Sequence, residues 1–250
     1  MKKILLITLV FFSITLLSQE KETSNRIQYL IDNNISEDDL MDSIFKKNRK
    51  NKEDIELLIS KSKEASYSYG QFYGHRSLGR IYRDLSIFDK ALSEYNKALK
   101  ITKQIKDTIS ELKVLNSIGS TYRRQDDIPN ALNYHQEALD KALNIKNSNI
   151  DIKKSISISQ NSMGNLYISL KQYKLALKEF NNSIVMQKQL NNKLGLAINY
   201  QNIGNAQEEL GELEAALENY QKSLTYNNQL DNSVGKIICA YSIANVLIKQ

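Results

Sequence analysis

SLGRIYRDLSIFDKALSEYNKAL, residues 77–99, sets the reading of this chain. A solitary glycine, Gly79, follows Leu78, and Tyr82 comes three residues later. Beyond a short turn, Ala91, Tyr95, Ala98 and Leu99 fall at i, i+4, i+7 and i+8, one face of a 3.6-residue period. The stretch therefore reads as two helices and a turn. It recurs as SIGSTYRRQDDIPNALNYHQEAL (117–139), SMGNLYISLKQYKLALKEFNNSI (162–184) and NIGNAQEELGELEAALENYQKSL (202–224). The glycines Gly79, Gly119, Gly164 and Gly204 are 40, 45 and 40 residues apart. Self-similarity at such a period marks stacked helical units, each burying its apolar face on its neighbours.

The turn inside each unit varies but retains one apolar anchor: Phe88, Ile128, Tyr173 or Leu213. Pro129, the single proline, falls just inside the start of a second helix with Asp127 ahead of it as N-cap. A missing N–H costs least there. A phosphate-binding reading of Gly79 does not fit, because that glycine is solitary and within a helix.

The four units resemble those of tetratricopeptide repeat proteins. The pattern of that family is met by Leu78-Gly79, Tyr82, Ala91, Tyr95 and Ala98, and by Ile118-Gly119, Tyr122, Ala131 and Ala138 with His135 in the second aromatic slot. The third unit has Met163-Gly164, Tyr167, Ala176 and Phe180 with Ser183 as a departure; the fourth has Ile203-Gly204, Ala216 and Tyr220 with Gln207 and Ser223 as departures. The steps exceed the usual ~34 residues, which resembles the long-unit, exported bacterial subclass with extended helices. The resemblance implies an all-α, right-handed α-α superhelix of antiparallel helix pairs. Units are expected near 72–111, 112–156, 157–196 and 197–236, with an incomplete fifth over 237–250, in a solenoid spanning 52–250. Glycine lets paired helices approach, alanine keeps the facing helix thin, and the rings fill the space between them.

Residues 19–51 are expected to hold a polar linker (SQEKETSN) and a capping helix opening at Ser36-Glu-Asp-Asp39. Ahead of them, MKKILLITLVFFSITLLS pairs two lysines with the apolar run Ile4–Leu17. Fourteen residues make only about 21 Å of helix, short of the ~30 Å hydrocarbon core. Residues 1–18 thus match a signal peptide, the alternative being an uncleaved anchor, and an exported, extracytoplasmic protein is expected. At the other end, ICAYSIANVLIKQ (238–250) places Ala244 40 residues after Gly204, so it reads as the first helix of a fifth unit and not as a membrane span. Its apolar face predicts a truncated chain, or one that docks this helix on another molecule, including a second copy.

Chemistry is scarce. One cysteine, Cys239, excludes a disulfide framework and reads as a small buried hydrophobe. His75 and His135 stand in different units, and His135 occupies a packing slot. No Ser-His-Asp, metal or nucleotide motif emerges, so no catalytic residue, metal or cofactor is expected. Net charge is +6, two of it from Lys2 and Lys3, with lysines and glutamates interspersed. Nucleic-acid binding needs a concentrated basic face and is not expected.

Surface remains. The resemblance implies that first helices line a concave wall where ligands bind. One row along it reads Arg80, Ser120, Asn165, Asn205 and Asn245; its neighbour reads Arg76, Asn116, Asn161, Gln201 and Tyr241. Carboxamides donate and accept, which suits an extended peptide backbone. Arg76, Arg80, Arg83, Arg123 and Arg124 gather at its N-terminal end, where guanidinium forks suit carboxylates. The rows are otherwise solvated helix faces. They depart from the carboxylate clamp of chaperone-binding members, so no chaperone is implied. The expectation is a non-catalytic scaffold binding a peptide or protein segment with an acidic end. The alternative is the extracytoplasmic sensor portion of a longer histidine kinase or membrane-bound transcription regulator.

Overall fold

In the computed structural model, residues 21–36, 41, 52–146 and 149–250 are described, and all their regular structure is helical. The chain forms two compact units, one ending at Asp107 and one beginning at Thr108. Among the described residues no helix is long and apolar enough to cross a membrane. The leader expected over residues 1–18 and most of the capping helix expected after Ser36 lie outside the described residues.

The N-terminal unit comprises α1 (21–32), α2 (Lys52–Glu64), α3 (Ser68–Asp84) and α4 (Phe88–Ile105). Residues 21–25, expected as linker, instead open α1. The reason is apolar spacing just downstream: Ile27 and Leu30 are fully buried, as are Met41, Ile55 and Leu58. The Tyr67 hydroxyl donates to the Ile35 carbonyl and lies 3.5 Å from the Met41 sulfur, tying the α2–α3 turn to the segment after α1.

The C-terminal unit comprises α5 (Thr108–Arg124), α6 (Ile128–Leu143), α7 (Ile150–Ser169), α8 (Tyr173–Gln189), α9 (Lys193–Glu209), α10 (Leu213–Gln229) and α11 (Ser233–Lys249). Successive helices pack antiparallel, and α5, α7, α9 and α11 are the first helices of their pairs. Paired helices of 17 residues joined by short turns account for the 40-residue step. The 45-residue step falls where α7 reaches 20 residues and the link before it lengthens.

Each repeat glycine faces a ring 16 residues later in the partner helix. A methyl group on Gly79 would lie 2.7 Å from the Tyr95 ring, on Gly119 2.8 Å from His135, and on Gly164 and Gly204 2.5 Å from Phe180 and Tyr220. No carbon tolerates such distances, so the contact exists because the side chain is absent. Ala91, Ala98, Ala131, Ala138, Ala176 and Ala216 are all fully buried. The serines replacing alanine are satisfied: Ser183 Oγ donates to the Ser157 carbonyl (3.1 Å) and Ser223 Oγ to the Ala197 carbonyl (2.8 Å). Gln207, in an aromatic slot, accepts from Asn219 Nδ2 at 2.8 Å.

The turn inside each pair has one backbone shape despite four sequences. Ser86, Asp126, Lys171 and Gly211 adopt φ of 59°, 61°, 57° and 77°, each two residues ahead of the apolar anchor. The following N–H closes the first helix on the carbonyl five residues back: Ile87 to Tyr82 (2.8 Å), Asp127 to Tyr122 (2.9 Å), Gln172 to Tyr167 (2.8 Å) and Glu212 to Gln207 (2.9 Å). Asp127 caps α6 by accepting from the Asn130 N–H at 3.1 Å, with Pro129 in the first turn.

Two substitutions test this account by urea unfolding. Gly164→Ala drives a methyl into the Phe180 ring and is expected to destabilise by about 1–3 kcal/mol. Lys171→Gly relieves a left-handed residue and should stabilise by up to about 1 kcal/mol.

Candidate functional site

The two predicted rows divide between the units. In the N-terminal unit, α3 carries Arg76, Arg80 and Arg83 at helical spacing. Arg76 stacks its guanidinium over the Phe72 ring at 5.3 Å, Arg83 bonds the Asp84 carboxylate at 3.2 Å, and Arg80 is exposed. Nearby, His75 Nδ1 lies 2.6 Å from Glu94, which also pairs with Lys97 at 2.6 Å. Burial raises the Glu94 carboxyl, but these two partners outweigh it and hold it below its ordinary value.

In the C-terminal unit the carboxamides bind one another. Asn116 on α5 is buried; its Nδ2 donates to Ser155 Oγ on α7 (3.0 Å) and its Oδ1 accepts from Ser159 Oγ (2.9 Å). Asn161 on α7 donates to Asn199 Oδ1 on α9 (3.0 Å), and Asn165 donates back to the Asn161 carbonyl (2.9 Å). Gln201 on α9 donates to Ser242 Oγ on α11 (2.9 Å), while Cys239 Sγ lies 3.3 Å from Gln201 Oε1. One row is thus a ladder stitching successive first helices. Asn116, predicted to meet a partner, faces inward, because a buried amide must be satisfied by the protein itself. Of the other predicted residues, Asn205 and Arg123 are exposed, Ser120 and Asn245 half-buried, and Tyr241 is 70% exposed.

The open part of this face lies one helical turn away and is apolar. Ile158 on α7, Ile198 on α9 and Ile238 on α11 are 49%, 46% and 48% exposed, each six residues ahead of the glycine slot. Leu194 and Val234 flank them, also exposed. They line two clefts of about 230 Å³ each, one between α7 and α9 and one between α9 and α11. The sequence holds the signal, isoleucine at 40-residue steps, but a repeated isoleucine there reads as core until its exposure is known.

His135 on α6 is fully buried with Nδ1 2.8 Å from Asn116 Oδ1. A carboxamide oxygen only accepts, so Nδ1 carries the proton and Nε2 is the acceptor; Nε2 has no partner. Burial, reinforced by the charge of Arg123, pushes His135 down from 6.5 to about 4. Among the described residues no group of three or more His, Cys, Asp or Glu is placed to hold a metal ion.

The sequence profile described as "Tetratricopeptide repeat" matches residues 73–144 and 155–229, more than half of the chain. No curated protein matches the sequence. Three solved structures illustrate the likeness of fold. The apo form of RapI is 19% identical with a TM-score of 0.64, covering 72% of this chain and 64% of its own. A Rap protein complexed with competence and sporulation factor is 13% identical at 0.60, covering 92% of this chain and 71% of its own. A signal transduction ATPase with a tetratricopeptide repeat sensor, from Pyrococcus horikoshii, is 18% identical at 0.67, covering 82% of this chain and 31% of its own.

The buried imidazole makes stability depend on pH. Its folded value is lower than its unfolded one, so the full contribution is present above pH 6.5 and is lost as pH falls towards about 4. Melting temperature followed from pH 7 to 4 should drop, with a loss of about 3 kcal/mol at the acid end. His135→Phe should flatten that part of the profile.

Proposed function

The chain belongs to the tetratricopeptide repeat family, and from this we propose that it is a non-catalytic interaction scaffold that binds a peptide or protein segment on the face of its first helices. The observation that carries this reading is the exposed row Ile158, Ile198 and Ile238 with its two flanking clefts. Contiguous exposed apolar surface rimmed by polar groups is what an interaction site presents. The Rap complex with competence and sporulation factor supports the reading, being a partner-bound protein of the same fold. In the N-terminal unit, Arg76, Arg80 and Arg83 of α3 favour a partner segment with an acidic end, because guanidinium groups suit carboxylates; they are tested apart, Arg76→Glu with Arg80→Glu being expected to weaken binding of such a segment. Export follows from the leader at 1–18. The sensor alternative, in which this array precedes a membrane span and an output domain, is supported only in that the Pyrococcus horikoshii signal transduction ATPase is described as having a tetratricopeptide repeat sensor.

Self-association is favoured by a separate observation on α11. Ile237, Tyr241, Ala244 and Ile248 form one exposed stripe; Ile237 and Tyr241 are each 70% and Ile248 83% exposed. These are the positions at which α9 carries Ala197, Gln201, Gly204 and Glu208, where Gly204 and Glu208 meet Tyr220 of α10. The stripe has no charge to repel its own copy, so a second α11 is the occupant we assign to it.

Two measurements check these readings. A photo-crosslinker in place of Ile198 should trap the partner, whereas one at Lys222, on α10, should not. Analytical ultracentrifugation should give a dimer that Ile237→Asp with Tyr241→Asp converts to monomer.

A further inference from the structure

The two clefts of the C-terminal unit are one site built twice. The first is lined by Ser157, Ile158, Asn161, Ser162, Gln187, Asn192, Leu194, Gly195, Ile198 and Asn199. Adding 40 to each number yields ten residues, all of which line the second cleft. Neither lining contains a charged side chain. In the preceding pair the register breaks: the five extra residues intervene, and Lys113 stands where α7 has Ile158.

Resting on the scaffold reading, we propose that this doubled site binds an uncharged, extended peptide segment presenting apolar side chains three residues apart. Each cleft, at about 230 Å³, exceeds the ~150 Å³ cavity that holds a benzene ring, so a branched aliphatic or aromatic side chain fits. Asn161–Asn199 and Gln201–Ser242 hydrogen bonds make α7, α9 and α11 direct neighbours, and packed helices lie ~8–10 Å apart. A polyproline II segment repeats a face every three residues and about 9 Å. A β-strand repeats its face every ~6.7 Å and falls out of step. An α-helix returns to one face after seven residues, about 10.5 Å, but has already satisfied its backbone.

The rims favour a backbone with unpaired groups. Ser162 and Asn202, equivalent in the two clefts, have side chains without a hydrogen-bond partner among the described residues. Gln187, 8% exposed, lines the first cleft; its Nε2 donates to Ser157 Oγ (3.2 Å), while its Oε1 has no partner. The partly exposed Ser162 and Asn202 side chains can pair with an incoming backbone, and polyproline II leaves its N–H and C=O groups free.

The test is fluorescence polarisation of the full chain with a labelled, capped Pro-Leu-Pro-Pro-Leu-Pro peptide. Saturable binding is expected. Moving the leucines to i, i+2, or replacing both by glutamate, should weaken it at least about tenfold. Ile198→Asp, whose side chain lines both clefts, and Ile158→Asp should do the same while circular dichroism and melting temperature stay unchanged. Both positions are about half exposed, so folding tolerates them. No binding, indifference to leucine spacing, indifference to both substitutions, or tighter binding of a helical peptide with leucines seven apart overturns the proposal. A partner trapped at Ile198 through a charged segment also overturns it while leaving the scaffold reading standing.

Discussion

The contact between a glycine on one helix and a ring on its partner governs the rest of this architecture. With 2.5–2.8 Å between ring atoms and the place a methyl would occupy, the spacing of each pair is fixed by an absent side chain. That spacing forces small residues at the facing positions, and Ala91, Ala131, Ala176 and Ala216 occupy them without exposure. Repetition at a constant step then makes neighbouring pairs superimpose, which is why two clefts 40 residues apart share their linings.

Polar groups inside the C-terminal unit follow from the same packing. First helices close enough to stack must satisfy whatever polar side chains lie between them, because an unpaired buried group costs about 1–3 kcal/mol. The Asn116–Ser155, Asn161–Asn199 and Gln201–Ser242 bonds do so, one at each interface. His135 extends the network and supplies its acid-sensitive member. What remains for a partner is the strip beside the ladder, which is apolar and neutral.

Much of this was legible in the residues. The helix pairs follow from the repeat and its 3.6-residue period, the cap from Asp127 ahead of Pro129, the burial of His135 from the aromatic slot it fills in the family pattern, and that of Cys239 from its apolar surroundings. Three things were not. Residues 21–25 read as linker by composition, but they open α1, whose Ile27 and Leu30 are fully buried. The intra-pair turns share a left-handed residue whose identity changes from Ser86 to Asp126, Lys171 and Gly211, so no residue type announces them. The carboxamide row read as an outward surface, whereas its members largely bond between helices.

By itself, then, the sequence determined the repeat and the inward face, because an apolar period of 3.6 within a period of 40 admits few other packings. It also determined the composition of the first-helix face. Only the tertiary structure decided which parts of that face are spent on neighbours and which are open. Asn161 and Ile158 lie within one turn of each other on α7, and both recur in the next pair as Gln201 and Ile198. One is turned to the adjacent helix and the other to solvent, a distinction of rotation about the helix axis that is set by how closely α7 and α9 pack.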